Sequence, residues 1–258
     1  MDAQANSHFY KKARRRFSWL TYLLTAVFLI LSVAQWLSIQ QLTTSNEFFT
    51  EKYWVGSIFF AVGLVLFGLF IFFETLRFVV PLNWIFAIVI FECVVMGVAS
   101  LVVRHHKYQF LLSFVIWSVT LGFFLLCGSF LPHDLTLDIV VLFVLAILAL
   151  IGAMYFLMMH IVTNMPYSFF VHRGFVVCSI WMFVMYHAQI INGGKFAEMR
   201  TKDYLLSSLM LFHDFLLMFM LSFHLAPKWS DECDPQLNKT NMLIFITDPT
   251  PPMFWDED

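Results

Sequence analysis

The segment 204–225 decides the fold of this chain, and it reads YLLSSLMLFHDFLLMFMLSFHL. It is a continuous apolar run that can cross the hydrocarbon core of a bilayer as one helix, because about 20 residues suffice. Asp214 lies near its middle. A carboxylate at the centre of a membrane helix costs roughly 2.5 to 3.5 kcal/mol on insertion scales. A chain that keeps such a residue is expected to use it, or to satisfy it against a partner.

The composition of the whole chain has the same character. Of its 258 residues, 60% are hydrophobic and 12% are charged, whereas soluble domains have about 25% charged residues. The mean hydropathy is +0.79. These values predict a polytopic membrane protein that lies in a lipid bilayer. The net charge of −2 does not favour a nucleic-acid partner, and the four Cys have the spacing of neither a disulfide framework nor a metal site.

Seven runs are long enough to span a membrane, and their continuity favours helices, since a lipid-exposed backbone must satisfy its own hydrogen bonds. The fold class predicted is therefore all-α, a seven-transmembrane-helix bundle. The bundle occupies 17–226, between a basic N-terminal tail, 1–16, and an acidic, Pro-containing C-terminal tail, 227–258. The predicted spans are 17–39, 54–73, 82–103, 110–131, 137–159, 174–192 and 204–226.

The Lys and Arg distribution predicts the orientation. Basic residues at 11–16 place the N-terminus in the cytosol, and those in the loop 193–203 agree. Arg104 and Lys107 lie on the opposite side and disagree. Seven spans place the C-terminus on the far side of the membrane, where the glycosylation sequon at 238–240 is usable. The alternative is a re-entrant last helix with a cytosolic tail.

Two segments carry a resemblance to a known family. Residues 186–195 read YHAQIINGGK, where the paired Gly are expected to end the sixth helix. Residues 203–204 are Asp-Tyr, and 211–215 read LFHDF. Here the chain resembles the transmembrane Bax inhibitor motif family, most closely its Lifeguard branch. Weaker similarity lies in Pro81-Leu82-Asn83 and in His133-Asp134-Leu135-Thr136.

The resemblance implies a seven-helix protein of the endoplasmic reticulum or Golgi membrane, with the plasma membrane as another location. It implies a calcium-permeable leak that takes part in calcium homeostasis and in negative regulation of apoptosis. In the family, one Asp in span six and one in span seven face each other and act as a proton-sensitive latch. Asp214 matches the second of these, and His187 stands where the first is expected. The chain is thus a divergent member by this resemblance.

The replacement by His187 leaves two functions open. A His–Asp pair can still form a hydrogen bond, and acid would favour the ion pair before it protonated the Asp. Calcium prefers oxygen ligands, however, and one of two carboxylates is missing. The alternative to a calcium leak is a non-conducting membrane protein that modulates cell-death signalling through partner proteins. No enzymatic activity and no cofactor are predicted, because no His and Asp residues have metal-ligand spacing; calcium enters only as the transported ion.

Other polar residues have alternative interpretations. Glu92, within span three, can line the same polar path as Asp214 and His187, or bond a Ser or Tyr across a helix interface. Gln189 and His213 are possible supporting residues of the pair. Gln189 can equally make an interhelical hydrogen bond, and His213 can be an independent packing residue, since it points about 100° away from Asp214. At the membrane edge, the side chains of residues 74 and 77 are expected to be solvated.

Overall fold

The computed structural model describes residues 2–163, 165 and 167–222, with side chains described for 9–163, 165 and 167–221. All described residues belong to one compact unit, Met1–Phe223. The predicted C-terminal tail and its sequon lie outside the described residues. Within the described part every regular element is a helix, and the bounds are α1 Asp2–Gln41, α2 Thr43–Glu51, α3 Tyr53–Phe72, α4 Glu74–Phe78, α5 Leu82–Val102, α6 Lys107–Phe130, α7 Ile139–Thr163, α8 Ser168–Asn192 and α9 Tyr204–Ser222.

Seven of these helices are long and apolar enough to cross a membrane, so the predicted all-α seven-helix membrane bundle is confirmed. The short helices α2 and α4 connect spans and have no counterpart in the sequence prediction. The sixth span differs at its start: α8 begins at Ser168 rather than at 174. Its first turns contain Arg173, which lowers the hydropathy of the segment. The helix continues nonetheless, because the Arg173 guanidinium is sheltered over the Phe169 ring, 4.2 Å from its centroid.

The last span, α9, is the central helix of the described bundle. Its apolar span is 72% buried, compared with 11% for α6 and for α7. It contacts α1, α5, α6 and α8. Phe219 stacks on Trp36 of α1 and on Phe215 of its own helix. Because α9 is surrounded by protein, the carboxylate that it carries must find its partner within the bundle.

Helices α3 and α5 pack so closely that three positions between them, Gly56, Gly63 and Gly97, have room only for glycine. A Cβ added to Gly97 would lie 2.8 Å from the Cα of Phe60, and one added to Gly63 would lie 2.6 Å from the Val94 side chain. Small residues let the backbones of membrane helices approach each other. This packing fixes α3, which forms one wall of the candidate site.

The beginning of α1 meets the end of α8 at one end of the bundle. Arg14 is buried and donates hydrogen bonds to the carbonyls of Ile190 and Met199. The sequence prediction assigns residues 1–16 to a basic tail, but α1 runs from Asp2 without a break and Arg14 belongs to the bundle. The physical reason is that the guanidinium donates to one carbonyl in the last turn of α8, Ile190, and to one in the loop that follows it, Met199. The contact also brings the start of α1 and the loop 193–203 to the same end, as the predicted topology requires.

Candidate functional site

His187 and Asp214 meet in the interior of the bundle. The Nδ1 atom of His187 lies 2.6 Å from Oδ2 of Asp214, and the two side chains are only 13% and 10% exposed. The contact predicted from the sequence is therefore present. It joins α8 to α9, and both residues lie well inside their helices.

The antiparallel arrangement of α8 and α9 explains how the two residues reach each other. His187 lies five residues before the end of α8, and Asp214 lies ten residues after the start of α9, which corresponds to roughly 7 and 15 Å of helix. Side chains lean toward the N-terminus of their own helix. His187 therefore leans away from the shared loop and Asp214 leans toward it, so each side chain reduces the difference in depth.

A cavity of about 240 Å³ lies beside the pair. His187, His213 and Asp214 contribute its polar groups, and α3 supplies part of its apolar wall through Phe60 and Phe67. Its position between α3, α8 and α9 means that any separation of α8 from α9 would enlarge it. The pair therefore lies where a local change in charge is coupled to the space between three helices.

His213 combines the packing role expected from the sequence with a place on this cavity. Its ring stacks on Phe67 with a centroid distance of 4.0 Å, and its Nδ1–H donates to the Leu209 carbonyl at 2.7 Å. The other ring nitrogen, Nε2, is buried and has no hydrogen-bond partner among the described residues. The prediction of a residue independent of Asp214 is thus only partly met, because the two share the cavity.

The pair has a definite chemical capacity. When His187 is neutral, its Nδ1–H donates to the Asp214 carboxylate, and the pair carries one negative charge. When His187 is protonated, the same hydrogen bond persists and the pair is neutral. Only protonation of Asp214 removes the anionic acceptor. The contact can therefore take up one proton without breaking and is weakened by a second.

Gln189, two residues further along α8, holds the loop between α6 and α7. Its amide donates to the His133 carbonyl and accepts from the Leu135 N–H, each at 2.8 Å. The residue is 2% exposed. Of the two interpretations of Gln189, the interhelical hydrogen bond is nearer the observation than a supporting role beside the His187–Asp214 pair. The partner of Gln189 is a loop, however, and not another helix. The clamp orients the last turns of α8, which carry His187.

The loop after α8 is fastened to the same loop between α6 and α7. Asp134 accepts a hydrogen bond from the Phe196 N–H at 2.9 Å, and the Thr136 hydroxyl accepts from the Ala197 N–H at 3.0 Å. The hydrogen bond from the Thr136 side chain, together with those from backbone amides, holds the pKa of Asp134 below its usual value. Lys195 reaches the carbonyl of Pro132 at 3.1 Å, just beyond the end of α6.

Charged residues at the start of α9 form a second group. Arg77 is 13% exposed, and its guanidinium lies 3.5 Å from the buried Asp203. The expectation of a solvated Arg77 is therefore wrong: its charge is held by an opposite charge within the protein. Glu74 is 56% exposed and pairs with Arg200 at 3.1 Å, so only this member of the expected pair faces solvent. Burial raises the pKa of Asp203, and the Arg77 charge opposes that rise.

Glu92 lies apart from the pair. Its carboxylate accepts a hydrogen bond from the Gln35 side chain at 2.8 Å, between α5 and α1. It does not line the cavity beside Asp214. Of the two alternatives considered, the interface bond is nearer the observation, although the partner is an amide and not a hydroxyl. The structure thus brings together Asp214, His187 and His213, and leaves Glu92 in a separate interface.

The buried Arg14 and the Arg77–Asp203 ion pair were not predicted from the sequence. The structure shows which face of α1 is buried: its buried positions recur at helical spacing through 17, 21, 25, 28, 32 and 36. Extension of this seam by one turn reaches residue 14. No comparable pattern marks Arg77, whose partner lies over a hundred residues later in the chain.

No protein-family model, no curated protein and no solved structure matches the chain. The resemblance to the Bax inhibitor and Lifeguard proteins therefore stays a prediction. Among the described residues, no group of three or more His, Cys, Asp or Glu side chains is placed to hold a metal ion.

Proposed function

We propose that this chain is a proton-responsive, calcium-permeable leak of an internal membrane, of the endoplasmic reticulum or Golgi, that takes part in calcium homeostasis and restrains cell death. The observation that carries the proposal is the 2.6 Å contact between His187 and Asp214, two buried titratable groups on neighbouring membrane helices. Ionisable residues within spans usually mark an ion or proton path. The resemblance in 186–195 and 211–215 supplies the ion.

The proposed mechanism uses the contact as a latch. While Asp214 is ionised, it accepts the hydrogen bond from His187 and holds α8 against α9. Protonation of the carboxylate would remove the charge-assisted bond, and the cavity beside the pair would then widen. The end of α8 is anchored by Arg14 and by the Gln189 clamp. Opening is therefore expected as a tilt of α8 about this end.

A second function is favoured by the lining of the cavity. Most of the residues that surround it are Phe, Leu, Ile or Met, and Asp214 is its one carboxylate among the described residues. Calcium in proteins takes six to eight oxygen ligands or keeps part of its water. An apolar wall with one engaged carboxylate also suits a non-conducting membrane protein that acts through partner proteins, with the His–Asp contact as a structural bond.

Calcium flux into proteoliposomes that contain the purified full chain separates the two functions. For the leak, the flux exceeds that of empty liposomes and changes with pH, and Asp214→Asn abolishes the pH response. The matched control is His133→Gln, which alters an exposed His–Asp contact of similar length, 2.7 Å, outside the spans. This control should leave the profile unchanged. No flux above empty liposomes at any pH would refute the leak and favour the interaction protein.

A further inference from the structure

The first helix carries four residues on one outward face at the end where α1 begins. Lys12, Arg15, Arg16 and Trp19 are all exposed, and Trp19 has a relative exposure of 67%. At 100° per residue they fall within an arc of about 100°. Arg14 projects to the opposite side, where it is buried against the end of α8. We call the outward set the basic groove.

The length of α1 places the basic groove in the headgroup layer of the membrane. The apolar helix extends over Phe9–Gln41, which is 33 residues, or about 50 Å at 1.5 Å per residue. The hydrocarbon core is only about 30 Å thick. The far end of α1 is followed after one residue by the short, largely polar helix α2, so we assign the excess length to the beginning of α1. The basic groove therefore lies at the depth of lipid phosphates.

The groove is a shallow surface depression, and its basic side chains have no acidic partner among the described residues. One depression of about 290 Å³ is lined by the four residues themselves. A second depression shares Lys12 and Arg16 and continues to Leu20, Thr201 and Tyr204. Within the described part of the chain, the three basic residues form no ion pair, and neither depression has an acidic lining residue. The nearby Glu198 is occupied by Arg14 and Tyr10.

We propose that the basic groove binds the headgroup of an anionic phospholipid of the surrounding leaflet. Guanidinium groups suit phosphate because their N–H donors match its oxygens in pairs, and a juxtamembrane cluster of basic residues is attracted to anionic lipid. An indole at the interface packs its ring against the glycerol and upper acyl region. The positive charge of the groove, its depth in the membrane and the exposed Trp19 all favour the same ligand, a lipid with a net negative headgroup. The site is independent of the His187–Asp214 pair.

Quenching of Trp19 fluorescence by brominated lipid tests this site. The full chain is placed in nanodiscs of equal parts phosphatidylcholine and phosphatidylserine, with bromine on the acyl chains of either one or the other. The Trp19 signal is the difference between the native protein and Trp19→Phe. We expect stronger quenching when phosphatidylserine carries the bromine. Equal quenching by the two lipids would overturn the proposal.

Two further measurements make the result specific. The triple variant Lys12→Gln, Arg15→Gln, Arg16→Gln should lose the preference for phosphatidylserine. The matched control, with the exposed basic residues 52, 104 and 107 at the other end of the bundle changed to Gln, should keep it. If the triple variant does not fold, the native protein alone tests the proposal. Its preference for phosphatidylserine must fall with added salt, because the screening length drops from about 10 Å at 0.1 M to about 3 Å at 1 M. A preference unaffected by salt would also overturn the proposal.

Discussion

Replacement of His187 by Asp probes the candidate latch most directly. The Nδ1 atom of a His and the Oδ1 atom of an Asp are each three bonds from Cα, so the two atoms can reach nearly the same point. The observed contact uses Nδ1, so His187→Asp would place a carboxylate oxygen near the same point, about 2.6 Å from Oδ2 of Asp214. That separation is typical of a carboxylic acid that donates to a carboxylate. The variant can thus keep the contact only if the two acids share one proton.

The magnitude follows from Coulomb's law. Two ionised carboxylates whose charge centres are about 4 Å apart repel by about 4 kcal/mol at an effective dielectric constant of 20. A difference of this size changes a population by about a thousandfold, since each 1.4 kcal/mol is a factor of ten. The doubly ionised pair is therefore disfavoured, and loss of the shared proton should separate α8 from α9. In the native pair the partner of Asp214 is His187, which is either positively charged or neutral, so this repulsion is absent.

The assay is calcium flux in proteoliposomes over a series of pH values. His187→Asp should make the flux more strongly dependent on pH than in the native protein, and Asp214→Asn should abolish the response in both backgrounds. His133→Asp is the matched control, because it places the same substitution at an exposed His–Asp contact whose side chains are 64% and 46% exposed. If His187→Asp folds normally and leaves the pH profile unaltered, the latch is refuted and the non-conducting interaction protein becomes the better account.

Four other outcomes are expected. Reporters fused to the two termini should show opposite protease access in sealed microsomes, and a cytosolic location of both would refute seven spans. Glu92→Gln should leave the flux and its pH profile unchanged, because Glu92 lies outside the cavity; a reduced flux at equal expression would place it on the path. Arg14→Met should lower the free energy of unfolding by about 2 to 4 kcal/mol, because two charge-assisted hydrogen bonds are lost. The control Arg15→Met, at an exposed residue, should change the free energy of unfolding by less than about 0.5 kcal/mol. Thermal denaturation in detergent compares the two variants. The Thr136 hydroxyl holds the pKa of Asp134 below its usual value. The ionised carboxylate therefore stabilises the fold at pH values above the usual pKa, and this contribution is lost as the pH falls through the folded-state pKa. Asp134→Asn should flatten the acid side of a curve of stability against pH, and an unchanged curve would contradict this.

The sequence by itself determined the fold class and the approximate spans. Apolar runs of about 20 residues must be helices in a bilayer, whatever their neighbours, because the backbone has no other way to satisfy its hydrogen bonds. The end of α8 was predictable for a local reason too: Gly193 and Gly194 have φ of 73° and 77°, a region that favours glycine. The cost of burying Asp214 was likewise visible in the sequence, whereas the expectation that His187 is its partner came from the resemblance in 186–195 and 211–215.

Only the tertiary structure decided which polar residues share a site. Hydropathy measures depth in the membrane but not direction around a helix axis, so it treats Glu92 and Asp214 alike although they lie in different interfaces. It likewise treats Arg14 and Arg15 as one basic run, although one is buried against the end of α8 and the other faces outward. These assignments depend on the rotation and packing of helices that are distant in the chain. Packing of this kind is a property of the assembled bundle and leaves little trace in any one segment.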